Sequence, residues 1–152
     1  MLVHIRKLAD ALLEETRKHL ECFDVLLPVV FTLRKGQLPK HQVLRDPDDV
    51  SEVIKKMAVH ADAVFVIMEI LALDIEGLNL NALSRREDGS VDLSKEKDAE
   101  PIILAVIHRP RYSEIKMIRY RKAGEIFSYF DRGWSRATDL PIGLRNPWLE
   151  AT

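Results

Sequence analysis

The sequence predicts an α+β domain in which two amphipathic helices pack on a mostly antiparallel sheet of about five strands. Three observations carry this prediction. Residues 3–22 and 46–62 show the apolar period of helices. Residues 63–73 form an almost wholly apolar strand. Residues 102–131 divide into three short strand-like segments separated by turn residues. The predicted order is α-β-β-α-β-β-β-β, arranged in two layers.

The length and composition indicate one folded domain. The chain has 152 residues, of which 47% are hydrophobic and 31% charged. This composition excludes a disordered chain, a collagen and a disulfide scaffold. We expect a single domain over residues 1–132, followed by an irregular C-terminal arm over residues 133–152.

The first predicted helix has one apolar face. Its members are Ile5, Leu8, Ala9, Leu12, Leu13, Leu20 and Phe23. Val25 to Leu33 is apolar and β-branched, which predicts a strand that tolerates Pro28 near its start. Gly36 then marks a turn, and His41 to Arg45 predicts a second short strand.

The second helix has a clear start in the sequence. Asp46 suits the N-cap and Pro47 the first helical position, while Asp48, Asp49 and Glu52 favour the positive end of the helix dipole. Asp62 ends the helix, and the strand from Ala63 to Leu73 follows. A strand so apolar is expected at the centre of the sheet.

The second half of the chain predicts a loop and a meander. Residues 84–100 contain ten charged side chains and an Asp88-Gly89 turn pair, which is typical of a mobile polar loop. Strands are predicted over residues 102–109, 114–121 and 125–131. From Gly133 onward no period is visible.

The charge is segregated along the chain although the net charge is −1. Residues 46–100 carry six basic and fourteen acidic side chains, and residues 101–146 carry nine basic and four acidic ones. The single cysteine, Cys22, excludes an intrachain disulfide. The longest apolar run is too short for a bilayer, and the N-terminus lacks a signal-peptide core, so we expect a cytoplasmic protein without a membrane partner.

The run Ala-Asp-Ala-Val-Phe-Val-Ile-Met-Glu at residues 61–69 resembles a pattern in small bacterial and phage-type proteins of unknown function. In that pattern an amphipathic helix enters such a strand, which ends near a glutamate and is followed by a polar loop and a β-meander. The resemblance covers residues 25–131 in element order. It implies an α+β fold and no particular activity.

The catalytic candidates are Glu69, Glu114 and Lys116. Glu69 lies within an apolar strand, which suits either a general acid or base or a metal ligand of raised pKa, or a strand-end glutamate that is paired with an arginine or lysine or faces a helix edge. Glu114 and Lys116 form an E-x-K tripeptide, the spacing with which PD-(D/E)xK nucleases bind Mg²⁺ and orient water. The E-x-K spacing makes a metal-dependent phosphodiesterase the second alternative function. It ranks second because the preceding strand lacks the expected acid at its end.

No cofactor or metal is expected from the motifs. The five histidines form neither H-x-H nor H-E-x-x-H, and His19 with Cys22 supplies only half of a zinc site. The aspartates at residues 46–49 have a structural role at a helix start. Six scattered glycines form no phosphate-binding loop.

The basic meander over residues 108–122 predicts a nucleic-acid-binding surface as the first alternative function. Basic side chains alternate there with aromatic ones that can stack on bases: Arg109, Arg111, Tyr112, Lys116, Arg119, Tyr120, Arg121 and Lys122. Strand alternation separates Lys116 from Arg119 and Arg121. The competing interpretation is a solvated face whose cations offset the acidic loop.

The C-terminal arm is the other feature that needs an explanation. Trp134, Leu144, Trp148 and Leu149 lie in it without any period, and tryptophans are rarely left in water. The arm packs either on its own domain or on another subunit. We therefore expect a non-enzymatic interaction or assembly protein, homo-oligomeric through the sheet and this arm, whose partner is itself or another protein.

Overall fold

A computed structural model describes residues 2–72, 85–89, 92, 95, 99–137, 140 and 142–150. The helices are α1 (Leu2–Phe23), α2 (Val50–Ala58) and the single turn α3 (Pro147–Glu150). The strands are β1 (Val29–Leu33), β2 (Lys40–Val43), β3 (Ala63–Ala72), β4 (Glu100–His108), β5 (Ser113–Ala123), β6 (Ile126–Asp131) and β7 (Ser135–Ala137). Eight of the seventeen residues of the polar loop predicted over residues 84–100 lie outside the described residues.

The strands form one antiparallel sheet in the order β2-β1-β3-β4-β5-β6, and β7 pairs with the first residues of β5. The α+β class and the antiparallel sheet are confirmed. The sheet has seven strands, so the predicted count of about five is too low. The predicted order contains six strands and lacks β7, which has only three residues and no alternation that a sequence window can detect. The predicted order also lacks α3, which is a single turn.

The two long helices lie on opposite faces of the sheet, so the predicted two-layer arrangement is wrong. The register pairs Phe65 with Ile107 and Val66 with Val106. Phe65 and Ile107 pack towards α1, whereas Val66 and Val106 pack towards α2. A strand covered on both sides needs apolar residues at odd and even positions alike, which explains the continuous apolar run of β3.

Two sequence-predicted helix features have clear structural counterparts. Helix α1 buries Ala9, Leu13 and Leu20 against the sheet, as its period predicts. Asp46 caps a 3-10 turn over Pro47–Asp49 rather than the α-helix itself: its Oδ1 accepts a hydrogen bond of 2.9 Å from the Asp48 amide. Helix α2 follows directly from this turn.

The C-terminal arm packs on its own domain. Trp134 lies on the α1 face, where its ring meets Phe65 edge-on at 6.2 Å. Leu144 is buried on the α2 face, and Trp148 packs beside it. On the α2 face, the arm thus covers apolar side chains of the sheet beside the short helix α2. The arm contacts both faces of the sheet.

Candidate interaction surface

The two residues of the E-x-K tripeptide lie on the α1 face of β5, and both are engaged within the protein. The Glu114 side chain is only 2% exposed. Its Oε1 accepts hydrogen bonds from Nε and Nη2 of Arg6, and its Oε2 accepts from Nε and Nη2 of Arg109. Two guanidinium groups thus occupy both carboxylate oxygens, each donating two N–H groups to one oxygen, and such charge-assisted hydrogen bonds are stronger than those between neutral groups.

Lys116 is held by acidic side chains at the same interface. Its Nζ lies 3.0 Å from Oδ1 of Asp10 and 3.9 Å from Oδ1 of Asp131. The Trp134 indole donates a hydrogen bond of 2.9 Å to the same Asp10 oxygen. Lys116 and Glu114 therefore stabilise the contact between α1 and β5. In the described part of the chain, no three His, Cys, Asp or Glu side chains converge as metal ligands would.

Glu69 also has a structural partner. It lies on the α1 face of β3, half-buried, and its Oε2 accepts a hydrogen bond of 2.7 Å from the Tyr120 hydroxyl. Burial of the phenol raises the pKa of Tyr120, and the Glu69 carboxylate raises it further. The contact supports the interpretation of Glu69 as a paired structural glutamate, although its partner is a tyrosine hydroxyl rather than the expected arginine or lysine.

Strand alternation divides the basic meander between two faces. Lys116, Tyr120 and Lys122 face α1, where each contacts a carboxylate. Arg119 and Arg121 face the other side of the sheet and are exposed. The residues predicted to bind nucleic acid therefore do not form one surface.

The remaining members of that set lie around the turn between β4 and β5. Arg109 is buried by its contact with Glu114, and its guanidinium also lies 5.4 Å from the Tyr112 ring centre. Arg136 approaches the same ring at 5.0 Å. Tyr112 is thus committed to two cation–π contacts, while Arg111 is exposed at the turn.

A buried polar cluster, which the sequence did not indicate, fastens the arm to the sheet. Nδ1 of His108 lies 2.8 Å from Oγ of Ser113, and Asn146 of the arm donates hydrogen bonds to Ser113 Oγ and to the Arg109 carbonyl. The His108 Nε2 has no hydrogen-bond partner among the described residues. Burial lowers the pKa of His108 to about 4, and the Leu144 backbone opposes part of this effect.

The four predicted interface residues differ in their exposure. Leu144 is buried, Trp134 and Trp148 are half-buried on their own domain, and Leu149 is exposed. The burial of the tryptophans is accounted for within the chain. A role of these residues between subunits stays a prediction.

An exposed apolar area lies instead on β5 and β6, on the side of the sheet away from α1. Met117 is 56% exposed, Ile126 72% and Phe130 65%. Arg119 lies beside Phe130 in the register of the two strands. We call Met117, Arg119, Arg121, Ile126 and Phe130 the open face. Sequence reasoning identified β6 as a strand and named Arg119 and Arg121 as nucleic-acid-binding candidates. It missed Met117, Ile126 and Phe130, although the run Ile-Phe-Ser-Tyr-Phe at residues 126–130 contains no charged side chain.

The two edges of the sheet differ in their protection against pairing. At one edge, β2 has four residues, begins with Lys40 and follows Pro39. Short length, lysine and proline all discourage another strand from adding to an edge. At the other edge, Ile126 to Phe130 of β6 contains no charge and no proline. No strand in the described part of the chain pairs with the outer side of β6, so this edge is open to a further strand.

The chain matches no family model, no curated protein and no solved structure. None of the described helices has the length and apolar character needed to cross a membrane.

Proposed function

We propose that this chain is a non-enzymatic assembly protein that joins copies of itself through the β6 side of its sheet. The single observation that carries the proposal is the coincidence of an unprotected edge strand with exposed apolar side chains on the same strand. An exposed strand edge is a template for pairing with another chain, and exposed apolar patches mark interaction sites. The structural engagement of Glu69, Glu114 and His108 also favours a binding role over catalysis.

The experiment is light scattering on the purified chain over a wide concentration range. We expect mass above that of one chain, and we expect Phe130→Asp to reduce it because a charge would be buried in the contact. Leu38→Asp is the matched control, since Leu38 is 88% exposed at the far end of the β1–β2 hairpin. A wild-type chain that stays monomeric at the highest concentration would overturn the proposal.

Nucleic-acid binding is the second candidate, and one observation favours it. Arg119 and Arg121 lie together on the open face, beside the exposed ring of Phe130. Cations next to an aromatic ring suit a single-stranded nucleic acid. The candidate is weaker than self-assembly because Lys116, Tyr120 and Lys122 face the opposite side.

A further inference from the structure

We infer that two copies of the chain pair through β6 as antiparallel strands about a two-fold axis at Ser128. The inference rests on the proposed self-assembly and specifies its geometry. The pairing would join two sheets into one continuous sheet, with each β6 changed from an edge strand into a central one.

The β5–β6 turn establishes which backbone groups of β6 are available. Gly124, with a φ of 64°, and Glu125 form a two-residue loop closed by the pair Ala123 and Ile126. In such a turn the Ile126 amide bonds to the Ala123 carbonyl, so the amides of alternate residues from Ile126 are directed to β5. The backbone groups of Phe127 and Tyr129 are then directed outward, available to another strand.

The side chains of β6 match one another about Ser128. With the axis there, Ile126 of one copy lies opposite Phe130 of the second copy, and Phe130 lies opposite Ile126. Both are exposed and on the open face. The pairing covers two large apolar side chains of each copy with like partners, and such cross-strand pairs stabilise antiparallel sheets.

The β6 side chains on the α1 face also lie opposite similar side chains when the axis is at Ser128. Phe127 lies opposite Tyr129 of the second copy, and these two residues are already stacked ring neighbours within each chain. Outward backbone groups of both residues then exchange hydrogen bonds. Moving the axis to Tyr129 would place Phe130 opposite Ser128 and Phe127 opposite Asp131, which loses both apolar matches.

Along β6, a like-charge contact occurs at each end of the pairing. Asp131 would lie opposite Glu125 of the second copy, at the margin of the contact. Lys116 and Arg17 lie 3.9 and 3.7 Å from Asp131 carboxylate oxygens and offset its charge. The repulsion is therefore small beside the four apolar matches.

The β6–β6 contact buries a small area, so the dimer is expected to be of low affinity. The contact involves one strand and two exposed apolar side chains per copy. The surface area that it buries is therefore well below the roughly 1,600 Å² of a standard interface. We therefore expect a dimer that dissociates on dilution. Phe130→Asp should weaken dimerisation by at least about tenfold, whereas Leu38→Asp should leave it unchanged.

The test places a cysteine at the axis. In a Cys22→Ser background, Ser128→Cys puts two thiols at a pair without mutual hydrogen bonds, where the Cα atoms approach to about 4.5 Å. Mild oxidation should yield covalent dimers much faster than with Gln37→Cys, an exposed position on the β1–β2 turn. A mixture of Ile126→Cys and Phe130→Cys chains, each made in the same background, should yield mixed dimers in preference to those of either chain alone.

The experimental outcomes distinguish a failure of the β6 pairing from a failure of self-assembly itself. Light scattering that shows a dimer, with no more cross-linking of Ser128→Cys than of Gln37→Cys and no preference for mixed dimers, overturns the β6 pairing and leaves self-assembly standing. A wild-type chain that is monomeric at every concentration overturns both. Preferential cross-linking of Ser128→Cys, or of the mixed pair should Ser128→Cys fail to fold, supports the pairing.

Discussion

Arg109 and Glu114 form a buried ion pair across the turn between β4 and β5, with Nη2 and Nε of the arginine 3.0 and 3.3 Å from one glutamate oxygen. The other oxygen binds Arg6 of α1. One carboxylate therefore ties the first helix and a strand turn together, although more than a hundred residues separate Arg6 from Glu114.

Glu114→Gln should destabilise the fold by about 3 kcal/mol, because it removes the negative charge that the buried Arg109 guanidinium contacts at 3.0 Å. Urea denaturation measures the change in the free energy of unfolding. Glu15→Gln is the control, since it breaks an exposed pair with Lys18 and should cost less than about 1 kcal/mol. Equal effects of the two substitutions would show that the buried pair has no special role.

Acid should destabilise the protein through His108. Its pKa is lowered from 6.5 to about 4 in the fold, so the unfolded chain binds the proton first as the pH falls. The stabilising contribution is complete above pH 6.5 and is lost between pH 6.5 and 4, amounting to roughly 3 kcal/mol. Denaturation at a series of pH values should show a shallower dependence in His108→Gln than in the wild type. His60→Gln, an exposed control, should keep the wild-type dependence.

Asn146→Ala should loosen the C-terminal arm. The substitution removes hydrogen bonds of 2.7 Å to the Arg109 carbonyl and 3.0 Å to the Ser113 hydroxyl. Because both acceptors are buried, we expect a loss of about 2 kcal/mol and a lower melting temperature. Leu149→Ala, in the same arm but half exposed, should have a much smaller effect. An unchanged melting temperature in Asn146→Ala would argue against the arm as a fixed part of the domain.

Glu69→Gln should leave the fold intact and lower the pKa of Tyr120. The amide still accepts a hydrogen bond, but the negative charge that disfavours tyrosinate is gone. Alkaline titration, followed by tyrosinate absorbance, measures the shift, and Glu87→Gln, at an exposed position, is a control for the charge change. A Tyr120 titration that does not move would mean that the 2.7 Å contact is not formed in solution.

Any binding to single-stranded nucleic acid should depend on the open face alone. Reversing Arg119 and Arg121 to glutamate should weaken it and flatten its salt dependence by about one unit per lost phosphate contact. Lys122→Glu, on the opposite face, should have little effect. Equal loss with Lys122→Glu would show that the two faces act together, contrary to their placement in the fold.

The hydrophobic pattern of short sequence segments predicted most of the helices and strands, but few of the side-chain contacts at the candidate surface. The period of α1 and the apolar run of β3 are properties of short windows, and both elements formed where expected. β7 escaped detection because three residues carry no usable period. The engagement of Glu114 by Arg6 was unpredictable for a different reason, since it depends on how α1 crosses β5.

The sequence by itself determined the α+β class, the turn capped by Asp46 that leads into α2 and the separation of Lys116 from Arg119 on β5, because each depends on neighbours only a few residues away. Only the tertiary structure decided that the helices cover opposite faces, that the arm packs on its own domain and that β6 is left at an edge. Those outcomes depend on which surfaces meet when distant segments are brought together, and apolar burial is not directional enough for a local pattern to specify the partner.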